Sequence, residues 1–135
     1  MMEFLLYLTP NSQEIIKSIM LKNYNIRQNA PICRNKQIFG VVQSPDFIIC
    51  LDNIKNNISP VNHYVNETVY HEAVHIAQKC KGNVLGIQVS LDTYKLTDVR
   101  NSVKATGSYA PYEMEAYYLE DKPKEVLYQL KKYCF

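Results

Sequence analysis

The stretch His71-Glu72-Ala73-Val74-His75 contains two of the chain's three histidines, four positions apart. An α-helix has about 3.6 residues per turn, so positions i and i+4 lie one above the other on one face. The imidazoles of His71 and His75 would therefore point to one place, where they could bind one metal ion. Glu72 would lie about 100° around the helix from His71. That position is too far round for an easy third ligand, but it is close enough to reach a water on the ion.

Residues on either side of this stretch predict where its helix begins and ends. Asn66 is an N-cap residue type, and the acidic Glu67 follows it. At the other end, Lys81 supplies a basic last turn and Gly82 a C′ glycine. The apolar residues between these ends are Val69, Ala73, Ile76, Ala77 and Cys80. The pattern therefore predicts a buried helix that carries the histidine pair.

A catalytic zinc site needs a third protein ligand and an open position for water. A second helix is predicted from Pro111, a first-turn residue, towards Pro123, which would end or interrupt it. Glu113 and Glu115 of this helix cannot both face the metal, because residues two apart point to nearly opposite sides. The third histidine, His63, is interpreted as an ordinary loop residue.

The sequence resembles the gluzincin-type zinc metallopeptidases, whose active-site helix carries H-E-x-x-H with the glutamate as general base. In the small members that cleave phage or mobile-element repressors, a later helix often reads E-x-E-A, and its first glutamate is the third ligand. Matching Glu113-Met114-Glu115-Ala116 to that pattern assigns Glu113 as the ligand and leaves Glu115 as a solvated helix carboxylate. Gluzincins often have Asp or Asn four residues after the ligand, where it can orient a histidine. This chain departs from that pattern with Tyr117.

The resemblance implies an α+β fold of the minimal zincin-like kind, in which a small mixed sheet packs on the active-site helix and a second helix bears a ligand. It also implies Zn²⁺ as the cofactor, bound by His71, His75 and Glu113. Glu72 would accept the proton of a water that attacks a peptide carbonyl. The expected substrate is a peptide or a protein.

The oxyanion formed in such a reaction is usually stabilised by a further hydrogen-bond donor. Tyr109 and Tyr112 lie close in sequence to Glu113 and are the first candidates among eleven tyrosines. Arg100 is a further candidate, and a packing role would suit each tyrosine as well. The alternative function is a non-proteolytic metal-binding or interaction module on the same scaffold, such as a small phage or mobile-element protein that binds a host factor.

Chain length, net charge and the N-terminal sequence indicate the number of domains and argue against nucleic-acid and membrane partners. A chain of 135 residues can form one domain with its own core, so we expect a single domain at residues 1–135. The net charge is only +2 and the basic residues are spread along the chain, which argues against a nucleic-acid partner. The N-terminal apolar run is too short for a signal peptide or a membrane helix, so we expect a cytoplasmic protein without a membrane partner. The sequence does not determine the oligomeric state.

The four cysteines lack any C-x-x-C spacing, and in a cytosolic chain we expect them to be buried thiols. A pair such as Cys80 with Cys134 would suit an exported protein instead.

The rest of the chain predicts short elements around the two helices. We expect, in order, a strand at 3–9, a helix at 11–23, a surface connection at 24–37, strands at 38–42 and 47–51, a loop at 53–65, a strand at 85–91, a helix at 92–104 and a last helix after Pro123. Gly40 and Gln43 make residues 38–43 the edge of the sheet, whereas the apolar run 47–51 suits its interior. An edge strand beside the active-site helix binds extended peptides in zincin-like enzymes, so residues 38–43 are a candidate substrate strand, although a purely structural role in the sheet would suit them equally well.

Overall fold

A computed structural model describes residues 2–135 and confirms the α+β class. The described part has six α-helices, three strands and two short 3-10 helices. Their bounds are α1 Pro10–Leu21, β1 Asn25–Gln28, β2 Gly40–Gln43, β3 Asp46–Ile49, α2 Leu51–Asn57, α3 Val61–Lys81, α4 Thr93–Thr106, α5 Ala110–Leu119 and α6 Pro123–Cys134, with 3-10 helices at Glu3–Tyr7 and Pro31–Arg34.

Helix α3 is the centre of the fold, and α1, α5, α6 and strand β2 pack around it. Apolar side chains on several of its faces are fully buried: Val65, Val69, Ala73, Val74, Ile76 and Ala77. The helix ends at Gly82, whose φ of 83° is the left-handed conformation that glycine adopts without strain. This C-terminus agrees with the sequence prediction.

The predicted N-terminus of α3 was wrong, because the helix begins at Val61 rather than after Asn66. Asn66 lies inside α3 and is buried, so its side chain does not cap the helix. Its Nδ2 donates to the Tyr7 carbonyl at 2.9 Å, and its Oδ1 accepts from the Thr9 N–H at 3.0 Å. The side chain that looked like a cap therefore attaches the segment before α1 to α3.

The three strands form a mixed sheet in the order β1-β3-β2. Strand β3 is central, parallel to β1 and antiparallel to β2, so the predicted edge and interior strands are confirmed. The Cys50 N–H donates to the Phe39 carbonyl at 2.8 Å. Since hydrogen-bonded pairs alternate along an antiparallel ladder, the N–H and C=O groups of Gly40 and Val42 face away from β3.

Strand β2 passes so close to α3 that any side chain at position 40 would force its neighbours to shift. A Cβ atom there would lie 2.6 Å from Thr68 Cγ2 and 3.1 Å from Glu72 Cγ. The absence of a side chain at Gly40 therefore brings the free edge of β2 beside the histidine-bearing part of α3.

Several predicted elements were wrong. Residues 3–9 contain a 3-10 helix instead of a strand, and its Phe4 is buried in the core. The surface connection at 24–37 contains β1, which the polar sequence Asn25–Gln28 concealed. The predicted loop at 53–65 overlaps most of α2 and contains the first turn of α3. Residues 85–91 have no regular structure instead of the predicted strand. The Leu85 and Gly86 N–H groups donate to the Glu115 carboxylate rather than to another strand.

The later helices agree better with the sequence. Helix α4 begins after Asp92, whose side chain accepts from the Lys95 N–H at 2.8 Å. Its Val99 is buried, whereas Leu96 is exposed. Helix α6 begins at Pro123, and its Val126, Leu127 and Leu130 are buried.

The cysteines are paired rather than free, contrary to the buried-thiol prediction. Cys33 is bonded to Cys50, and Cys80 is bonded to Cys134. The second disulfide joins the end of α3 to the end of α6. No helix among residues 2–135 combines the length and the apolar character that a membrane crossing requires.

Candidate metal centre

His71 and His75 of α3 and Glu113 of α5 lie together. One potential ligand atom from each lies within 4.8 Å of the others. His71 Nε2 is 3.2 Å from Glu113 Oε1, and His75 Nε2 is 2.7 Å from Glu113 Oε2. Glu113 is in the first turn of α5, which Pro111 helps to start, and α5 packs across the middle of α3. The three residues proposed from the sequence as ligands therefore share one place.

Glu115 points elsewhere, so the two glutamates have different roles. Its Oε1 accepts from the Leu85 N–H at 2.7 Å and from Gln78 Nε2 at 2.9 Å, and its Oε2 accepts from the Gly86 N–H at 2.8 Å. The carboxylate is only 4% exposed. The prediction of a solvated Glu115 was therefore wrong, because this side chain holds the segment after α3.

Both histidines have a hydrogen-bond acceptor behind the ring. His71 Nδ1 lies 2.9 Å from Glu120 Oε1, and His75 Nδ1 lies 2.8 Å from Gln78 Oε1. These partners assign the ring proton to Nδ1 in each neutral imidazole. Each Nε2 then faces the Glu113 carboxylate: the protonated ring donates to it, and the neutral ring offers an Nε2 lone pair to a metal ion.

The sequence prediction missed Glu120 as the carboxylate behind His71. The sequence feature that could have indicated Glu120 is its position seven residues after Glu113. Seven residues are about two helical turns, so the two side chains lie near the same face of the helix. Tyr117, at the position where gluzincins often have Asp or Asn, packs edge-on to the His71 ring with centroids 4.4 Å apart. Its hydroxyl hydrogen-bonds to Ser102 of α4. Burial raises the pKa of Tyr117, so it stays neutral.

Hydrogen bonds and charge interactions link the three side chains. Burial lowers the pKa of His71, but hydrogen bonds to Glu113 and Glu120 outweigh it and raise that pKa well above its ordinary value. The His75 pKa is raised as well, since burial is outweighed by the hydrogen bond to Glu113. The Glu113 pKa is lowered, because its bonds to both histidines exceed the effect of burial. A divalent cation could replace the two imidazole protons around this carboxylate.

Two imidazole nitrogens and one carboxylate match the ligand set of a catalytic zinc site. The donor chemistry and the convergence of the three side chains therefore fit a zinc ion.

Glu72 lies beside the group and is 6% exposed. Its Oε2 is 3.8 Å from His71 Nε2. Burial raises the pKa of this carboxyl, while His71 and His75 act in the opposite direction. Glu72 is therefore next to the candidate metal position without belonging to the three-residue group.

The group opens into a cleft of about 1100 Å³. Its lining includes residues of β2, α3, α4 and α5, among them Glu72, Tyr109 and Tyr112. Tyr109 is 70% exposed, whereas Tyr112 is half-buried. Arg100 is exposed and is not among the lining residues.

His63 lies in the first turn of α3 rather than in a loop, which corrects the sequence interpretation. Its Nε2 is 3.5 Å from Glu67, and it is not part of the candidate metal group.

The chain belongs to the family DUF8637, described as a domain of unknown function, whose family model matches residues 4–135. No curated protein and no solved structure matches it. The matched region includes both α3 and α5, so the whole candidate metal centre lies inside the family domain.

Proposed function

We propose that this chain is a zinc-dependent endopeptidase. The observation that supports the proposal is the convergence of His71, His75 and Glu113, with Glu72 beside them, in a cleft bounded by an edge strand. The ligand group alone would suit many metal proteins. Its combination with an adjacent carboxylate and an open cleft favours hydrolysis.

His71, His75 and Glu113 would hold the zinc ion through two Nε2 atoms and the carboxylate. When bound, zinc lowers the pKa of a coordinated water to about 7 and polarises a substrate carbonyl. Glu120 and Gln78 keep the ring protons on Nδ1, so both Nε2 atoms remain available.

Glu72 is the general base in this proposal. Its carboxylate removes the proton from the attacking water and then delivers that proton to the leaving amine. Its position on α3 suits this role, because its Oε2 lies 3.8 Å from His71 Nε2 while the carboxylate is not one of the three ligand groups. Tyr109 and Tyr112 remain candidate donors to the oxyanion, since both line the cleft.

Strand β2 would bind the substrate in an extended conformation. Gly40 and Val42 offer outward N–H and C=O groups that can pair with a peptide backbone. A peptide added at this edge would run along the same cleft that contains Glu72 and Glu113. Backbone pairing of this kind suits an internal segment of a polypeptide.

The proposal is tested with Glu72→Gln, which keeps the shape of the side chain but removes the base. Cleavage of unfolded proteins and a peptide library is followed by mass spectrometry, and bound zinc is quantified by elemental analysis. We expect zinc binding to be retained and hydrolysis to fall by at least about 100-fold, as for loss of a general base. Glu14→Gln, the same change at an exposed position of α1, is the matched control.

Native turnover in Glu72→Gln would contradict the assigned base. A native chain that binds zinc but cleaves nothing in these screens would favour the alternative, a non-proteolytic metal-binding or interaction module.

A further inference from the structure

The Gln78 side chain connects the candidate metal centre to the segment after α3. Its Oε1 lies 2.8 Å from His75 Nδ1. Its Nε2 donates to the Tyr112 carbonyl at 3.0 Å and to Glu115 Oε1 at 2.9 Å. Gln78 is 2% exposed, so water cannot readily substitute for these partners.

These contacts allow only one orientation of the amide. If the amide were flipped, its oxygen would face two acceptors, the Tyr112 carbonyl and the Glu115 carboxylate. The Gln78 oxygen must therefore face His75, and His75 must carry its proton on Nδ1. The orientation of Gln78 thus determines which ring nitrogen of His75 can bind a metal.

Glu115 is itself held by the backbone. Its two oxygens accept from the Leu85 and Gly86 N–H groups and from Gln78. A carboxylate with three donors at 2.7–2.9 Å has little freedom to turn. It therefore provides a rigid acceptor that keeps the Gln78 amide from rotating.

We propose that Gln78 and Glu115 form a positioning pair that keeps His75 in the Nδ1–H tautomer and directs its Nε2 at the metal. The inference rests on the proposed function, since it takes His75 as a zinc ligand. It assigns a role in the site to the second glutamate of Glu113-Met114-Glu115, which does not contact the candidate metal position.

The first test replaces Gln78 with methionine, which is similar in size and lacks the amide. Zinc affinity is measured by competition with a chromophoric chelator. We expect Gln78→Met to bind zinc about 10–100-fold more weakly, as when the partner of a ligating histidine is lost. Gln129→Met is the matched control, because Gln129 is also a buried helical glutamine but lies on α6, and its Nε2 donates to Glu125.

A rescue experiment reverses the polarity of the pair. Gln78→Glu alone places two carboxylates side by side and should weaken zinc binding. Gln78→Glu combined with Glu115→Gln removes the second carboxylate and places a donor next to the new one. The Tyr112 carbonyl and the Leu85 N–H still lose their partners, so we expect only part of the lost affinity to return. A combination that is no better than Gln78→Glu alone would contradict the pair.

The tautomer is read directly in the native chain. A long-range ¹H–¹⁵N correlation spectrum of the zinc-loaded protein distinguishes the two ring nitrogens, and the exposed His63 serves as an internal reference. We expect His75 to carry its proton on Nδ1 and the metal on Nε2. Zinc on Nδ1 would overturn the proposal even if the variants fail to fold.

Native zinc affinity in a folded Gln78→Met would also overturn it. Neither readout depends on hydrolysis. Zinc binding without cleavage therefore contradicts the proposed peptidase activity alone, whereas unchanged affinity in Gln78→Met contradicts the positioning pair alone.

Discussion

Glu120 Oε1 lies 2.9 Å from His71 Nδ1, although the two residues are 49 positions apart. Both side chains are less than a tenth exposed. The carboxylate accepts a hydrogen bond from the Nδ1–H group, which leaves His71 Nε2 facing Glu113 at 3.2 Å. Glu120 therefore supplies the carboxylate behind the candidate ligand His71, whereas position 117, where the sequence comparison led us to look for one, is a tyrosine.

Glu120→Gln should weaken zinc binding by about 10-fold or more, because its amide can still accept from Nδ1 but carries no charge. Asp121→Asn is the matched control. Both carboxylates lie near Lys95 Nζ, at 3.7 Å for Glu120 and 3.6 Å for Asp121, but Asp121 is about half exposed. Chelator competition on both variants checks the prediction, and equal zinc affinities for the two would contradict a special role for Glu120.

Gly40→Ala should destabilise the chain by about 1–3 kcal/mol, the usual cost of an overfilled site. The new methyl group would lie 2.6 Å from Thr68 Cγ2 and 3.1 Å from Glu72 Cγ. Urea unfolding measures the loss. Adding Thr68→Ser removes the clashing methyl and keeps the hydroxyl that donates to the Tyr64 carbonyl at 2.7 Å. The double variant should recover most of the stability, and no recovery would mean that the Thr68 contact does not limit position 40.

Loss of the Cys80–Cys134 disulfide should cost more stability than loss of Cys33–Cys50. The sequence separations are 54 and 17 residues, which correspond to about 4 and about 3 kcal/mol in the chain-entropy model. Thermal unfolding of the two paired Cys→Ala double variants provides the comparison. Thiol titration of the denatured, unreduced native chain should detect no free cysteine, and four reactive thiols would contradict both bonds.

Burial, together with the nearby Glu120, raises the pKa of Glu67 from 4.5 to about 7. At a pH between these two pKa values, the Glu67 carboxyl is ionised in the unfolded chain but keeps its proton in the folded chain. The folded state then binds more protons, so the free energy of unfolding falls as pH rises from about 4.5 to 7. The other charged or titratable side chains that act on Glu67 are Lys95, His71 and Asp121, and His63 lies 3.5 Å away.

Glu67→Gln should remove this pH dependence. In chelator-treated protein, we expect the variant to lose less stability than the native chain as pH rises from about 5 to 8. Urea unfolding across that range measures the difference, and Glu14→Gln at an exposed position serves as the control. Parallel curves for native protein and Glu67→Gln would show that Glu67 titrates normally.

The sequence was most informative where one local rule determined the geometry. The four-residue spacing of His71 and His75 is a property of any α-helix, and Pro111 and Gly82 correctly marked helix ends. The apolar runs on either side of Ser44-Pro45 similarly indicated strands β2 and β3, with β2 at the edge of the sheet and β3 inside it.

The sequence was least informative where a side chain met a partner distant in the chain. Asn66 was interpreted as a cap because it is a typical cap residue and the sequence does not reveal its partners. These partners, Tyr7 and Thr9, lie more than fifty positions away. Residues 85–91 alternate like a strand, but the Glu115 carboxylate accepts the first of their backbone N–H groups. Local pattern gives the ends and faces of elements, whereas the partners of buried polar groups depend on the tertiary fold.

The most direct test of the candidate metal centre is a crystal structure of the zinc-loaded protein with anomalous data at the zinc edge. We predict one peak per chain, about 2.0–2.2 Å from His71 Nε2, His75 Nε2 and a Glu113 oxygen. Glu72 and Glu115 should lie outside the coordination sphere. A peak coordinated by Glu115, a peak elsewhere on the chain, or no peak at all would contradict the metal centre and the hydrolytic function proposed from it.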